Sequence, residues 1–174
     1  MKKYELTAEF IEQWGKKLFR IKALISFGSV EAGELGGYVE KEDNLAQDGD
    51  AWVCDNAWVC DNVMVYGNAR VCGNARVYDN VMVYGDARVY GDARVCGDAR
   101  VCDNADYLLI GRIGSRFSFT TFFKNKDKGI TVSCGCFLGT IAEFRAKVTD
   151  THGNNKHAKI YNLAADMAEL QILG

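Results

Sequence analysis

Proline is absent from this chain of 174 residues, and histidine occurs only twice, at His152 and His157. Without proline there are no rigid Pro-rich linkers, so every tight corner falls to Gly, Asn or Asp. With so little histidine, the side chain most used as a general base or neutral-pH metal ligand is scarce, and both copies lie near the C-terminal end. Apolar runs of membrane-spanning length are missing too. So is a basic excess: the net charge of −2 lacks the footprint of a non-specific nucleic-acid binder. Behind Met1-Lys2-Lys3 comes Tyr-Glu-Leu-Thr rather than an apolar stretch, so no secretory signal is expected and the cytoplasm is the expected compartment. There the seven cysteines, an odd number, read as reduced thiols. P-loops, paired catalytic carboxylates and Ser–His–Asp orderings are also missing, so the expected catalytic, metal and cofactor sets are empty.

What the chain does have is a six-residue beat from Ala51 to Ala105: AWVCDN, AWVCDN, VMVYGN, ARVCGN, ARVYDN, VMVYGD, ARVYGD, ARVCGD, ARVCDN. The nine units follow one another without insertion, which marks a repeat architecture. In each unit Ala or Val stands first and Val third, alternating with Trp, Met or Arg and then Cys or Tyr. This is strand alternation with one apolar side. The closing Asp-Asn, Gly-Asn or Gly-Asp tolerates left-handed backbone and forms a corner. A short strand plus a two-residue corner suits one side of a triangular coil, with three units per rung. Parallel stacking then pairs each residue with the one 18 positions on.

In this pattern, with Ala51 before Val53, Ala57 before Val59 and Ala69 before Val71, the chain resembles the hexapeptide-repeat family. The fold that resemblance implies is a left-handed parallel β-helix; with the flanking segments read below, the expected fold is mainly β, with an N-terminal β cap and a C-terminal cap of one hairpin and two helices. The leading segment ELGGYVEKEDNLAQDGDAWV and the exit segment YLLIGRIGSRFSFTTFF resemble phage- and prophage-encoded members sometimes labelled polymer-forming. This implies the host cytoplasm as location and favours a homotrimer about a three-fold axis. The best-known enzymes of the family are acyltransferases with a His base between subunits. Here no His falls on a rung, so a non-enzymatic role is expected, with an acyltransferase-like one as the weaker alternative.

The expected domains are 1–32, an N-terminal cap; 33–106, the solenoid; and 107–174, an α+β cap. In the first, Phe19–Ala23 alternates as a strand and Trp14–Lys17 reads as a hairpin turn, with a short helix over Ala8–Lys17 as the competing reading. Leu35, Val39 and Leu45 keep the six-residue spacing only roughly. In the last, Phe117–Phe123 and Gly129–Cys136 flank a polar turn as a hairpin. Thr140 and Glu143 form a capping box that opens a helix to about Thr149. A second, amphipathic helix follows from about Asn155 to Leu173, with Ile160, Leu163, Met167 and Leu170 on one side. Charge is uneven: 9 basic and 5 acidic residues in 107–174 give +4, against −3 in residues 1–50 and −3 in residues 51–106.

Folding the beat into rungs sorts the outward residues into columns about 4.8 Å apart. The first face shows Trp52, Arg70 and Arg88, the second Trp58, Arg76 and Arg94, the third Met64, Met82 and Arg100. Met64 and Met82, with Tyr66 and Tyr84 beside them, form an exposed apolar ladder, expected to meet another subunit or to be covered by the terminal helices. Trp52 and Trp58, on the first full rung, are expected to anchor the N-terminal block. The stacked arginines Arg70, Arg76, Arg88 and Arg94 either find corner aspartates such as Asp86, Asp92 and Asp98 or hold an anion. Arg112, Ser115 and Arg116 in GRIGSR at the coil exit are a second candidate anion site, since glycine-rich turns can present backbone amides. The corner residues Asn56, Asn74 and Asp92 are expected to form a hydrogen-bonding ladder. Cys134 and Cys136, one residue apart and without a second pair, do not meet zinc spacing. The leading expectation is a binding protein holding a small anionic ligand such as a nucleotide signal of host defence. The alternative is a structural or protein-interaction scaffold.

Overall fold

The computed structural model describes residues 1–174. The N-terminal block is a hairpin of β1 (Tyr4–Gln13) and β2 (Lys16–Ala23), turned by Trp14 and Gly15, both at positive φ. The competing helix does not form. Next, β3 (Leu35–Val39) pairs antiparallel with β2 and parallel with the coil. Gly36 and Gly37 let it press onto the first rung: a Cβ on Gly37 would lie 2.4 Å from the Ala57 carbonyl. The coil itself is nine two-residue strands, β4 (Trp52–Val53), β5 (Trp58–Val59), β6 (Met64–Val65), β7 (Arg70–Val71), β8 (Arg76–Val77), β9 (Met82–Val83), β10 (Arg88–Val89), β11 (Arg94–Val95) and β12 (Arg100–Val101).

The strands stack in parallel as β4-β7-β10, β5-β8-β11 and β6-β9-β12, with Trp52 opposite Arg70 and Met64 opposite Met82, the expected shift of 18. The first rung is irregular. Tyr38 faces Trp58 and Leu45 faces Val65, a shift of two more residues, and the two extra residues lie between Ala46, whose N–H bonds the Val65 carbonyl, and Asp50, whose N–H bonds the Gly67 carbonyl. Val39 and Leu45 enter the core, while Leu35 stays outside. Ala and Val at the first position and Val at the third fill the interior and are shielded from solvent in every rung. The fifth position takes left-handed backbone at Asp55, Asp61, Gly67, Gly73, Asp79, Gly85, Gly91 and Gly97. Where that residue is Asp it also accepts the amide of the rung above: Gly73 N–H bonds Asp55 and Gly97 N–H bonds Asp79, each at 2.9 Å. Sixth-position pairs form rungs of a ladder, Asn62–Asn80, Asn68–Asp86, Asn74–Asp92 and Asn80–Asp98.

The edge strand at each end of a parallel ladder leaves N–H and C=O groups without a strand partner, and side chains meet several of them at both ends. At the first rung the buried Lys3 ammonium donates to the carbonyls of Asp48, Gly49 and Ala51 at 3.2, 3.3 and 2.9 Å. Burial lowers its pKa to about 8. At the last rung Asn104 Oδ1, the Tyr107 hydroxyl and Thr121 Oγ1 accept from the N–H groups of Arg88, Tyr90 and Arg94. Trp52 lies wholly beneath Tyr4 and Phe27, and Trp14 at the hairpin tip packs edge-on against Trp58 and Tyr78, 5.0 Å from each. Both tryptophans on the first full rung therefore hold the N-terminal block.

Beyond the coil, β13 (Tyr107–Ile113), β14 (Ser118–Lys124), β15 (Ile130–Cys134) and β16 (Phe137–Thr140) form an antiparallel sheet. Two helices pack on it, α1 (Ile141–His152) and α2 (Lys156–Leu173). Thr140 and Glu143 make the expected capping box. The side of α2 that faces the sheet carries Ala158, Tyr161, Ala164, Ala165, Ala168 and Ile172. Ile160, Leu163, Met167 and Leu170 are exposed. Cys54 and Cys72, whose Cα atoms stack 4.7 Å apart, are joined in a disulfide, so the expectation of seven reduced thiols is corrected. In-register stacking brings equal positions of neighbouring rungs within bridging distance.

Candidate functional site

Where the second coil face meets the C-terminal sheet, two cavities open side by side. The first, of about 250 Å³, is lined by Arg76 and Arg94 from the coil, Asn74 and Asp92 from its corner, and Ser118, Phe119, Thr121 and Ser133 from β14 and β15. The second, of about 380 Å³, lies between the sheet and the helices, with Ser115, Arg116, Lys147 and His152 around an apolar floor of Phe137, Phe144 and Val148. Ser118 and Gly135 line both, so the two form one groove. Arg76, Arg94, Arg116 and Lys147 line the groove with one carboxylate, Asp92, and Lys147 is paired with Asp150 at 3.4 Å, which leaves a net of two positive charges.

No carboxylate lies within salt-bridge distance of Arg76, Arg94 or Arg116. Corner aspartates do not neutralise the arginine columns: Asp86 and Asp92 accept from asparagines, and Asp98 pairs with Lys126 at 2.6 Å. Arg76 instead lies over the Trp58 ring, 5.9 Å from its centre. In-register stacking places two guanidinium-bearing residues one above the other, where like charges favour a bound anion. The neighbouring serine and threonine hydroxyls add neutral donors. In the second cavity His152 stacks on Tyr161, 5.8 Å between ring centres. Burial first, then the nearby Cys134, pushes the Tyr161 hydroxyl up to about 12, so it stays protonated at neutral pH. The arrangement offers fixed positive charge, hydroxyl donors and aromatic walls.

The expected ligand residues divide among three places. Arg76, Arg94, Ser115 and Arg116 meet in the groove. Arg70 and Arg88 line a separate cavity of about 370 Å³ on the first face, with Asp50, Asn68 and Tyr90. Arg112 is exposed on β13, outside these cavities. The glycines of GRIGSR serve ring packing: a Cβ would lie 2.0 Å from the Phe119 ring at Gly111 and 1.8 Å from the Tyr161 hydroxyl at Gly114. On the third face the Tyr66 and Tyr84 rings stack at 5.2 Å with planes 5° apart. Met64 is half exposed, Met82 is partly covered, and both helices sit on the C-terminal sheet rather than here. Glu40, Cys60 and Asp61 converge near the hairpin, but Lys16 bridges both carboxylates. Sequence reasoning missed Ser118, Thr121, Ser133 and Lys147, which carry no periodic signal and meet only through the seating of the cap.

Five overlapping stretches, residues 57–73, 69–85, 75–91, 81–97 and 87–105, match the family model described as YdcK Beta solenoid repeat. The coil is a repeat β-solenoid. Those stretches run from the second hexad to the end of the coil, so the β-solenoid repeat supplies Arg76 and Arg94 but not the cap residues opposite them. No curated protein matches the chain. No helix is long and apolar enough to cross a membrane.

Proposed function

We propose that this β-solenoid is a non-enzymatic binding protein for a small organic anion of the nucleotide class, held in the groove between the second face and the C-terminal sheet. The observation that carries the reading is the set of three guanidinium groups, Arg76, Arg94 and Arg116, that line the groove without a carboxylate partner. Phosphate or carboxylate oxygens fit stacked guanidinium forks, and the Phe119, Phe137 and Phe144 rings offer contact for an apolar or aromatic body. The phage resemblance supports a biological purpose, sequestering a host defence signal in the cytoplasm, and supports a left-handed coil. It also favours a trimer joined through Met64, Tyr66, Met82 and Tyr84. Native mass spectrometry of gently purified protein tests retention of a ligand, and calorimetry with nucleotides tests affinity. Arg94→Glu and Arg116→Glu should each weaken binding at least tenfold, whereas Arg112→Glu should not. Equal affinities across the three variants would remove the groove from consideration.

A second reading, a scaffold that binds protein through the third face, is favoured by the half-exposed Met64 beside the stacked tyrosines. A clean ligand-free mass together with loss of assembly in Met64→Lys would support it instead.

A further inference from the structure

The outer side of α2 carries a second apolar stripe. Leu163, Met167, Leu170 and Leu173 are 62, 57, 78 and 53% exposed, and Ile160 extends the row at 37%. Ile160, Leu163, Met167 and Leu170 follow one another at intervals of three, four and three residues, the a/d spacing of a helix seam. The opposite side of α2 is already used against the sheet, where four alanines allow close approach. Five large apolar side chains in one row, outside the core, exceed the scattered exposure normal for a surface helix.

Charge along α2 is segregated. Lys156 and Lys159 stand in its first half, Asp166 and Glu169 in its second, where Arg145 of α1 pairs with both carboxylates at 2.6 and 2.9 Å and leaves a net charge of −1. A parallel neighbour would set lysine beside lysine. An antiparallel copy brings Lys159 within about one turn of the partner copy's acidic half and opposes the two helix dipoles favourably. With Ile160 opposite Leu170 and Leu163 opposite Met167, the apolar layers coincide. Roughly 500–600 Å² on each copy would be covered, about 1,100 Å² in total, near the lower bound of specific interfaces.

We propose that α2 is a self-association surface that pairs antiparallel with α2 of a second copy of this chain, as a weak, reversible dimer. This contact is separate from the Met/Tyr ladder of the third face and from the anion groove. A copy joined at both surfaces would extend into higher assemblies.

Sedimentation of the full chain between about 1 and 300 μM tests the proposal, with dissociation in the micromolar range expected. Leu163→Lys with Leu170→Lys changes only exposed positions and should weaken association at least tenfold with the melting curve unchanged. Met64→Lys with Met82→Lys should leave the α2-dependent step intact. A protein monomeric throughout the range, or one whose association is the same in the Leu163/Leu170 variant, would overturn the proposal. Orientation is read by cross-linking in a Cys136→Ser background. Ile160→Cys and Leu170→Cys chains should cross-link to each other when mixed, and cross-linking of Leu170→Cys to itself would overturn the antiparallel arrangement.

Discussion

Replacing Lys3 by methionine isolates the cost of an open solenoid end. The side chain has almost no solvent exposure, and its ammonium meets three carbonyls of the first rung, at 3.2, 3.3 and 2.9 Å. Hydrogen bonds to a charged group each contribute about 1.5–3 kcal/mol. Desolvation of the ammonium offsets part of that, since a fall from 10.5 to about 8 corresponds to roughly 3 kcal/mol against the charged form. Methionine keeps the aliphatic stem and leaves the carbonyls without donors. The expected net loss is about 3 kcal/mol at pH 7, read by urea unfolding. The pH dependence follows from the direction of the shift. Because the folded-state value lies below the unfolded one, the unfolded chain holds more protons between about 8 and 10.5. Wild-type stability should therefore rise relative to Lys3→Met across that window, by up to about 3 kcal/mol. Subtracting the variant removes the contribution of tyrosines and cysteines common to both. A loss under about 1 kcal/mol at pH 7, or a difference that falls with rising pH, would refute the account of the first rung.

The corner aspartates act as both conformers and acceptors, so Asp79→Ala should cost about 2 kcal/mol in thermal unfolding and Asp79→Asn about half of that, since Asn keeps an acceptor and tolerates the left-handed backbone. Gly114→Ala would drive a methyl group into the Tyr161 ring at a positive-φ position. It should cost at least about 2 kcal/mol and disturb near-ultraviolet circular dichroism from the cap aromatics. Trp14→Ala removes two edge-on ring contacts. It should cost about 1 kcal/mol and speed hydrogen exchange in the N-terminal hairpin while leaving β6–β12 protected.

Periodic features were legible because each position meets an equivalent neighbour. The shift of 18, the Ala/Val interior and the corner ladder follow from six letters repeated, and so does the placement of Arg76 beneath Arg94. The hairpin at Trp14-Gly15 and the Thr140–Glu143 box were legible from local chemistry. α2 was not. Its row of Ile160, Leu163, Met167 and Leu170 is as regular as any core stripe, yet the sheet takes the side with Ala158, Ala164, Ala165 and Ala168. Periodicity finds apolar sides but cannot choose between two of them, and here small residues allow the closer approach. The strands β13 and β16 were not legible either, as their pairing partners lie along a cap without repeats. Arg116 drew notice through GRIGSR, but its partners Lys147, Ser118 and Ser133 arrive from three other elements.

Capping and ligand placement are coupled at the coil exit. The last rung needs acceptors for its N–H groups, and Thr121 of β14 supplies one to Arg94, at 3.1 Å. The same strand carries Ser118 and Phe119 into the groove. The contact that closes the ladder thus sets the distance between the arginine column and the cap wall. At the other end of this face the corresponding surface is taken by Trp14 over Trp58 and Tyr78, so the same column offers no comparable opening there. An anion that bridges Arg94 to Ser118 or Ser133 would span coil and cap, and its binding free energy would add to the stability of their junction. Phosphate-bearing ligands should therefore raise the unfolding temperature of the cap more than that of the first rungs. Loosening the junction through Thr121→Val should weaken binding although that substitution removes no charge.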